Sequence, residues 1–266
     1  MGLPISFPYL SIFALALSPA IISSSSLSSQ LPTPPALDWQ VSLNFPVEGV
    51  GQPEGGSAGG GVRGVRPSCV KHDQIPLQTL TPQSSSVEKT HSANPSFFVY
   101  VPQTQAKSGE FVVYDDSGNQ VYLAAVELND TPSVVKLQLP ETISLEVGKD
   151  YRWQFRLSCN LQSQIPNHLV GGVIRRTLIS SDLQQKLEKL QLPKQTAIGG
   201  LNPRQEYSAL LKQAEIYAEA KMWNDTITIL ARVRNYRPKA WAQMLTSFGL
   251  ETIAHKPFVE CCTQEK

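Results

Sequence analysis

Four cysteines, four histidines and a few aspartates are the residues of this chain whose types and spacing could do chemistry. Cys261 and Cys262 are adjacent, with His255 six residues before them. Thiolates beside an imidazole are zinc ligands by type, but structural zinc sites space their cysteines as Cys-x-x-Cys, so metal is disfavoured here. An exposed thiol pair can exchange disulfides, yet no basic cluster lies nearby to favour the reactive thiolate. Asp115, Asp116 and Asn119 are oxygen ligands suited to calcium. The sequence Asp-Asp-Ser-Gly-Asn is also a common hairpin tip, where Asp bonds its own backbone, and that reading is preferred. His72, His91, His168 and His255 are scattered. No His-Glu-x-x-His and no phosphate loop occurs, since Gly59–Gly64 (GGGVRG) lacks the closing Gly-Lys-Ser/Thr. The expectation is a protein that is not an enzyme and has no cofactor, no metal and no catalytic residues.

The even cysteine count points to disulfides in an oxidising compartment. Cys69, Cys159, Cys261 and Cys262 permit three connectivities, and spacing does not choose among them. A Cys69–Cys159 bridge would close a loop of about 90 residues, for which loop-closure entropy allows at most ~4.5 kcal/mol. A vicinal Cys261–Cys262 bond is sterically awkward. One of that pair reaching back to Cys69 or Cys159 is the alternative.

Export is consistent with the N-terminus. Residues 1–22 hold an apolar run, Tyr9 to Ile22, too short to span a bilayer comfortably and followed by a Ser-rich stretch, and Ser18-Pro19-Ala20 within it is a small-residue cleavage-like site. These read as a secretory signal peptide, although its start carries no Lys or Arg. Met1-Gly2 with Ser6 matches a myristoylation pattern, but Pro4 and the apolar continuation favour the signal. The expected location is extracytoplasmic: periplasm, secreted or thylakoid lumen. No stable membrane span is expected once the signal is removed. Residues 23–66 are Ser-, Pro- and Gly-rich and read as a linker that cannot bury enough apolar surface to fold.

Two periodicities organise the rest of the 266 residues. Over 67–179 apolar residues recur every second position. The strands are Ser96–Pro102, two segments around the hairpin Asp115–Asn119, Ser133–Pro140, Asp150–Cys159 and His168–Ile179. Gly118 and Asn119 are placed for positive φ in that hairpin, and Gly171-Gly172 marks a bulge or a close approach. Tyr151, Trp153, Phe155 and Leu157 form one face of a strand, and Arg152, Gln154, Arg156 and Ser158 the other. The arginine row reads as a solvated face in preference to an adhesive one. Six short strands at regular spacing suggest an antiparallel β-sandwich. Leu145, Gly148 and Tyr151, as Leu-x-x-Gly-x-x-Tyr before a strand, resemble the tyrosine corner of immunoglobulin-like sandwiches.

Over 180–262 the period becomes 3.6. Leu183, Leu187 and Leu190 stripe one helix; Leu210, Ala214, Tyr217 and Ala218 a second; Ile227, Leu230, Ala231 and Val233 a third; and a fourth packs after Pro238. Tyr217, Trp223, Leu230 and Pro238 are spaced so that the segment resembles a single tetratricopeptide unit, with Lys221 where Gly is usual and Thr226 where Ala is usual. One unit is fewer than a stable solenoid needs, so a helical hairpin leaning on the sheet is expected. The fold class is therefore α+β by segregation: an immunoglobulin-like sandwich, then a small tetratricopeptide-like helical module.

The ordered motifs "FFVYVP", "AKSGEFVVYDDSGNQVY", "LEVGKDYRWQFRLSCN", "YAEAKMWNDTITILARVR" and "GLETIAHKPFVECC" resemble the cyanobacterial family called domain of unknown function 928, over about Gly60 to Cys262. The resemblance implies no activity and no site residues. It does imply a leading signal peptide. A net charge of +1 gives no pull toward nucleic acid. The expected role is an extracytoplasmic interaction or adaptor protein with a protein partner, contacted through Tyr207, Trp223, Tyr236 and Trp241 or a sheet edge. The bland reading of those aromatics is core packing, and it is preferred for Trp223. The alternative role is a carbohydrate- or envelope-binding module on the sandwich. Two Asn-Asp-Thr sequons, at Asn129 and Asn224, matter only in a host that glycosylates.

Overall fold

The computed structural model describes residues 2, 69–70, 75–82, 87–159, 168–190 and 203–260. Apart from Gly2, all of these lie in the compact unit Val41–Lys266. The leader and most of the linker read above therefore lie outside the described residues, as do His72, Cys261 and Cys262. The described chain mixes α and β: two sheets of four and five strands, and four helices.

The strands are β1 Gln78–Thr79, β2 Glu88–Thr90, β3 Ser96–Val101, β4 Ser108–Tyr114, β5 Gln120–Glu127, β6 Ser133–Gln138, β7 Asp150–Leu157, β8 His168–Arg176 and β9 Phe258–Glu260. The smaller sheet has the order β1-β3-β6-β9 and the larger β2-β8-β7-β4-β5. The helices are α1 Ser181–Glu188, α2 Pro203–Glu219, α3 Trp223–Val233 and α4 Pro238–Ser247, followed by one turn of 3-10 helix at Glu251–Ile253.

Alternation along the strands decides what each sheet buries. Tyr151, Trp153, Phe155 and Leu157 of β7 meet Phe111 and Val113 of β4, Val170 and Ile174 of β8, and Phe97 and Val99 of β3 in one core between the two sheets. β3 is buried at all six positions. Its odd residues face the larger sheet, while Phe98 and Tyr100 turn the other way into a second core with Leu210, Ala214, Ile227, Leu230 and Met244 of the helices. A strand apolar on both sides needs cover on both faces. Burying a side chain such as Phe98 contributes roughly 1.5–3 kcal/mol. The helices are thus the third layer of one structure: larger sheet, smaller sheet, helices.

That layering corrects two sequence expectations. Segregation of strands from helices is incomplete, because after α4 the chain returns to the smaller sheet and β9 pairs in parallel with β6, Val134 opposite Phe258. The segment 180–262 is accordingly not helical throughout. Phe258 is the anchor: it packs against Phe98 at 6.2 Å and Trp241 at 6.0 Å, and the Arg234 guanidinium lies 3.6 Å from its ring centroid.

Backbone geometry is specific at the turns and at two places within the larger sheet. Gly118 has φ +84 and closes the β4–β5 hairpin, but Asn119 does not adopt positive φ. Its amide and side chain instead donate to the two oxygens of Asp115 at 2.8 and 3.0 Å. The bulge of the larger sheet lies at Val113/Tyr114, between β4 and β5. Gly171 is a close approach: a Cβ there would stand 2.1 Å from the Trp153 carbonyl oxygen. Lys221, at φ 56, is the only described non-glycine with positive φ. It sits where α2 ends in a Schellman motif, with Met222 N–H donating to Tyr217 O and Lys221 N–H to Ala218 O, both at 2.9 Å. Gly249 fills the same place after α4.

Candidate functional site

The densest group of chemistry-bearing side chains lies where β2 meets the start of α3 and the last turns of α2. β2 runs parallel to the end of β8, Thr90 opposite Arg176, and so places Glu88, Thr90 and His91 beside the helices. Asp225 stands in the first turn of α3, where a negative charge is favoured by the helix dipole. Tyr217 comes from α2, four residues before Lys221 turns the chain back.

Asp225 is 5% exposed and accepts three hydrogen bonds. Thr90 Oγ1 donates to Oδ1 at 3.1 Å, the His91 backbone N–H donates to Oδ2 at 3.2 Å, and His91 Nδ1 lies 2.6 Å from Oδ1. His91 Nε2 lies 3.3 Å from the Tyr217 hydroxyl, within hydrogen-bond distance. The two rings stack, with centroids 5.1 Å apart. Burial first, and the Asp225 charge second, push the Tyr217 phenol up to about 12, so it remains a donor. Glu88 completes the group. Its Oε1 is shut away from water and has no hydrogen-bond partner among the described residues. Burial, reinforced by Asp225, raises its carboxyl from 4.5 to about 8, so Glu88 is mainly protonated at neutral pH.

An aspartate that orients a histidine is the supporting half of a nucleophilic triad. Here the imidazole's second nitrogen is spent on a phenol that is itself 2% exposed. The arrangement binds a proton and joins layers. Asn224 adds to the junction by donating from Nδ2 to the Ser96 carbonyl at 2.8 Å. Asn224 is 2% exposed, so this sequon lies out of reach of a glycosylating enzyme in the folded chain. Asn129 is exposed.

Sequence reading missed this group. His91 and Asp225 are separated by 134 positions and share no local motif. The only signal was Trp-Asn-Asp before the apolar stripe of α3, a polar pair at a helix start whose usual meaning is capping.

The residues singled out from sequence are dispersed. Cys69 and Cys159 are bonded, S–S 2.06 Å. Leu145 is buried, and Gly148 has φ +83 and donates its N–H to Arg176 O at 2.8 Å. The Tyr151 hydroxyl accepts the Glu146 N–H at 3.1 Å. Arg152 is exposed, whereas Arg156 is half-buried and donates to the Tyr114 hydroxyl and, at 2.9 Å, to Gln154 Oε1. Asp115 is held by Asn119, whose side-chain bond lowers its carboxyl below the usual range. Trp241 is a correction: it is 5% exposed, buried against β9 by the return of the chain to the sheet, and is no contact surface. Trp223 is half-buried, edge-on to Phe248 at 5.3 Å. Tyr207 and Tyr236 are brought together in a stack with centroids 4.0 Å apart, and Tyr236 is 59% exposed. The neighbouring Tyr236 phenol, and burial second, push the Tyr207 phenol up to about 12. Among the described residues no group of three or more His, Cys, Asp or Glu is placed to hold a metal ion, and no helix is long and apolar enough to cross a membrane.

A family model described as Domain of Unknown Function (DUF928) matches residues 58–258, and the chain belongs to that family. No curated protein and no solved structure matches it.

Proposed function

We propose that this chain is a non-enzymatic, extracytoplasmic interaction protein that binds a protein partner through the surface around Tyr207 and Tyr236. The observation that carries the reading is that stacked pair. Two tyrosines from different segments, α2 and the turn between α3 and α4, are held face to face at the surface. Tyrosine offers apolar area and a polar tip at low entropy cost, and it is enriched in protein interfaces. The histidine that could do acid–base chemistry is instead committed on both nitrogens to Asp225 and Tyr217. The Cys69–Cys159 pair suits an oxidising compartment, which supports export.

In this reading the two sheets form an immunoglobulin-like sandwich and α2–α3 a tetratricopeptide-like hairpin. The Tyr151 hydroxyl bond to the backbone five residues upstream supports the first. Lys221 in left-handed conformation, where that repeat usually has Gly, supports the second.

Deleting the helices would expose Phe98 and Tyr100 of β3, so truncation is an unsuitable test. The better one is a crosslinked pull-down from the envelope fraction with the wild-type chain and with a Tyr207→Ser/Tyr236→Ser variant. Loss of one specific protein in the variant supports the proposal. Retention moves the contact elsewhere, and no protein partner in either, together with glycan binding, replaces it by the carbohydrate reading.

A further inference from the structure

The larger sheet ends in an edge whose geometry fits a second copy of this chain. Among the described residues no strand lies beyond β5. β5 is eight residues long, QVYLAAVE, with no Pro, Lys or Arg, three residues by which natural edge strands block pairing. Leu128 N–H donates to Lys107 O at 2.9 Å, and the β4–β5 register continues from there as Ser108 opposite Glu127 and Glu110 opposite Ala125. Antiparallel ladders alternate, so Val126 and Ala124 direct their backbone groups to β4, while Leu123, Ala125 and Glu127 direct theirs outward. The side chains of those three are exposed, Leu123 by 50%.

We propose that β5 pairs antiparallel with β5 of a second copy, about a two-fold axis through Ala125, joining two five-stranded sheets into one. In this register all three outward-facing residues are matched. Ala125 meets Ala125 of the second copy, small enough for close approach at the axis, and Leu123 meets Glu127 of the second copy. The single charge of the strand then lies beside the stem of an apolar side chain. The two Glu127 carboxylates are four residues apart along the strands, about 14 Å. On the inner face Ala124 falls beside Val126 of the second copy, and Tyr122 beside Leu128, so the core between the sheets continues across the junction. The β-bulge lies in β5 itself, at Val121, where Val113 pairs with Tyr122 and Tyr114 with Gln120, and it ends the regular run beyond Tyr122, outside the stretch that pairs. Two-fold symmetry is the commonest among homo-oligomers, and pairing the two β5 strands removes both edges.

Sedimentation velocity on the full, disulfide-intact chain from about 1 to 100 µM reads the association. The wild type should show a concentration-dependent dimer. Leu123→Glu sets like charges opposite one another twice per dimer and should weaken it by roughly tenfold or more. Adding Glu127→Lys makes both pairs opposite in sign and should restore it. Leu123 is exposed, so an unchanged unfolding midpoint confirms that the variants fold. A wild-type chain monomeric throughout, a dimer indifferent to Leu123→Glu, or one that Glu127→Lys does not restore overturns the proposal.

Discussion

Replacing Glu88 by Gln should turn the proton held at the β2–α3 junction into a measurable stability difference. Glu88 is raised from 4.5 to about 8 in the folded chain by burial and by Asp225. The folded state therefore keeps a proton that the unfolded state releases between those two pH values. Stability falls with rising pH wherever the native state binds more protons than the unfolded one, so the Glu88 contribution is fully present below pH 4.5 and is lost as pH rises through about 8. At pH 7 holding the proton costs about 3 kcal/mol, and the loss grows by ~1.4 kcal/mol per pH unit across the window. Gln keeps the shape and cannot titrate. Burying its amide adds a constant, so the slope of the difference is the diagnostic. Urea unfolding of both proteins with the disulfide intact, at pH 5, 6, 7 and 8, should show Glu88→Gln gaining stability relative to wild type at about that rate. Other titrating groups cancel in the difference. A difference flat with pH, or one falling toward pH 8, would refute the assignment of a buried protonated carboxyl.

Three further outcomes follow from the same structure. Lys221→Gly should stabilise by roughly 0.5–1 kcal/mol in thermal unfolding, since relief of the left-handed φ exceeds the added freedom of the unfolded chain. Gly171→Ala puts a Cβ 2.1 Å from backbone oxygen rather than a movable side chain, so it should cost more than about 3 kcal/mol and reduce the yield of folded protein. Trp241→Ala should cost about 3–5 kcal/mol by denaturant titration, whereas Tyr236→Ala, at an exposed stack, should cost less than about 1 kcal/mol. Equal losses at the two aromatics would contradict their assignment to core and surface.

The β4–β5 hairpin and the α2–α3 pair were legible because their information is local. Asp115 to Asn119 are adjacent in sequence, and an alternating apolar pattern fixes which face of β7 turns inward whatever it packs on. Lys221 could be singled out because it stands where the tetratricopeptide pattern usually has Gly. The short strands were not legible. β1, β2 and β9 have two or three residues each, too few to show a period, and exist only because longer neighbours template them.

The sequence by itself determined the order of the longer strands and of the helices and the turn at Asp115–Asn119; that Ser96–Val101 must be covered twice shows only in its burial. Six consecutive buried positions cannot sit on a sheet with a wet face. The tertiary structure alone decided what covers that strand: the larger sheet on one side and α2, α3 and α4 on the other. It also decided which cysteine pairs with Cys69, that Trp241 is core, and that Glu88, His91, Tyr217 and Asp225 share one proton-binding junction. Each of these joins segments whose spacing along the chain sets no distance between them. Their proximity follows from how the layers stack, and stacking minimises exposed apolar area over the whole chain rather than within any stretch of it.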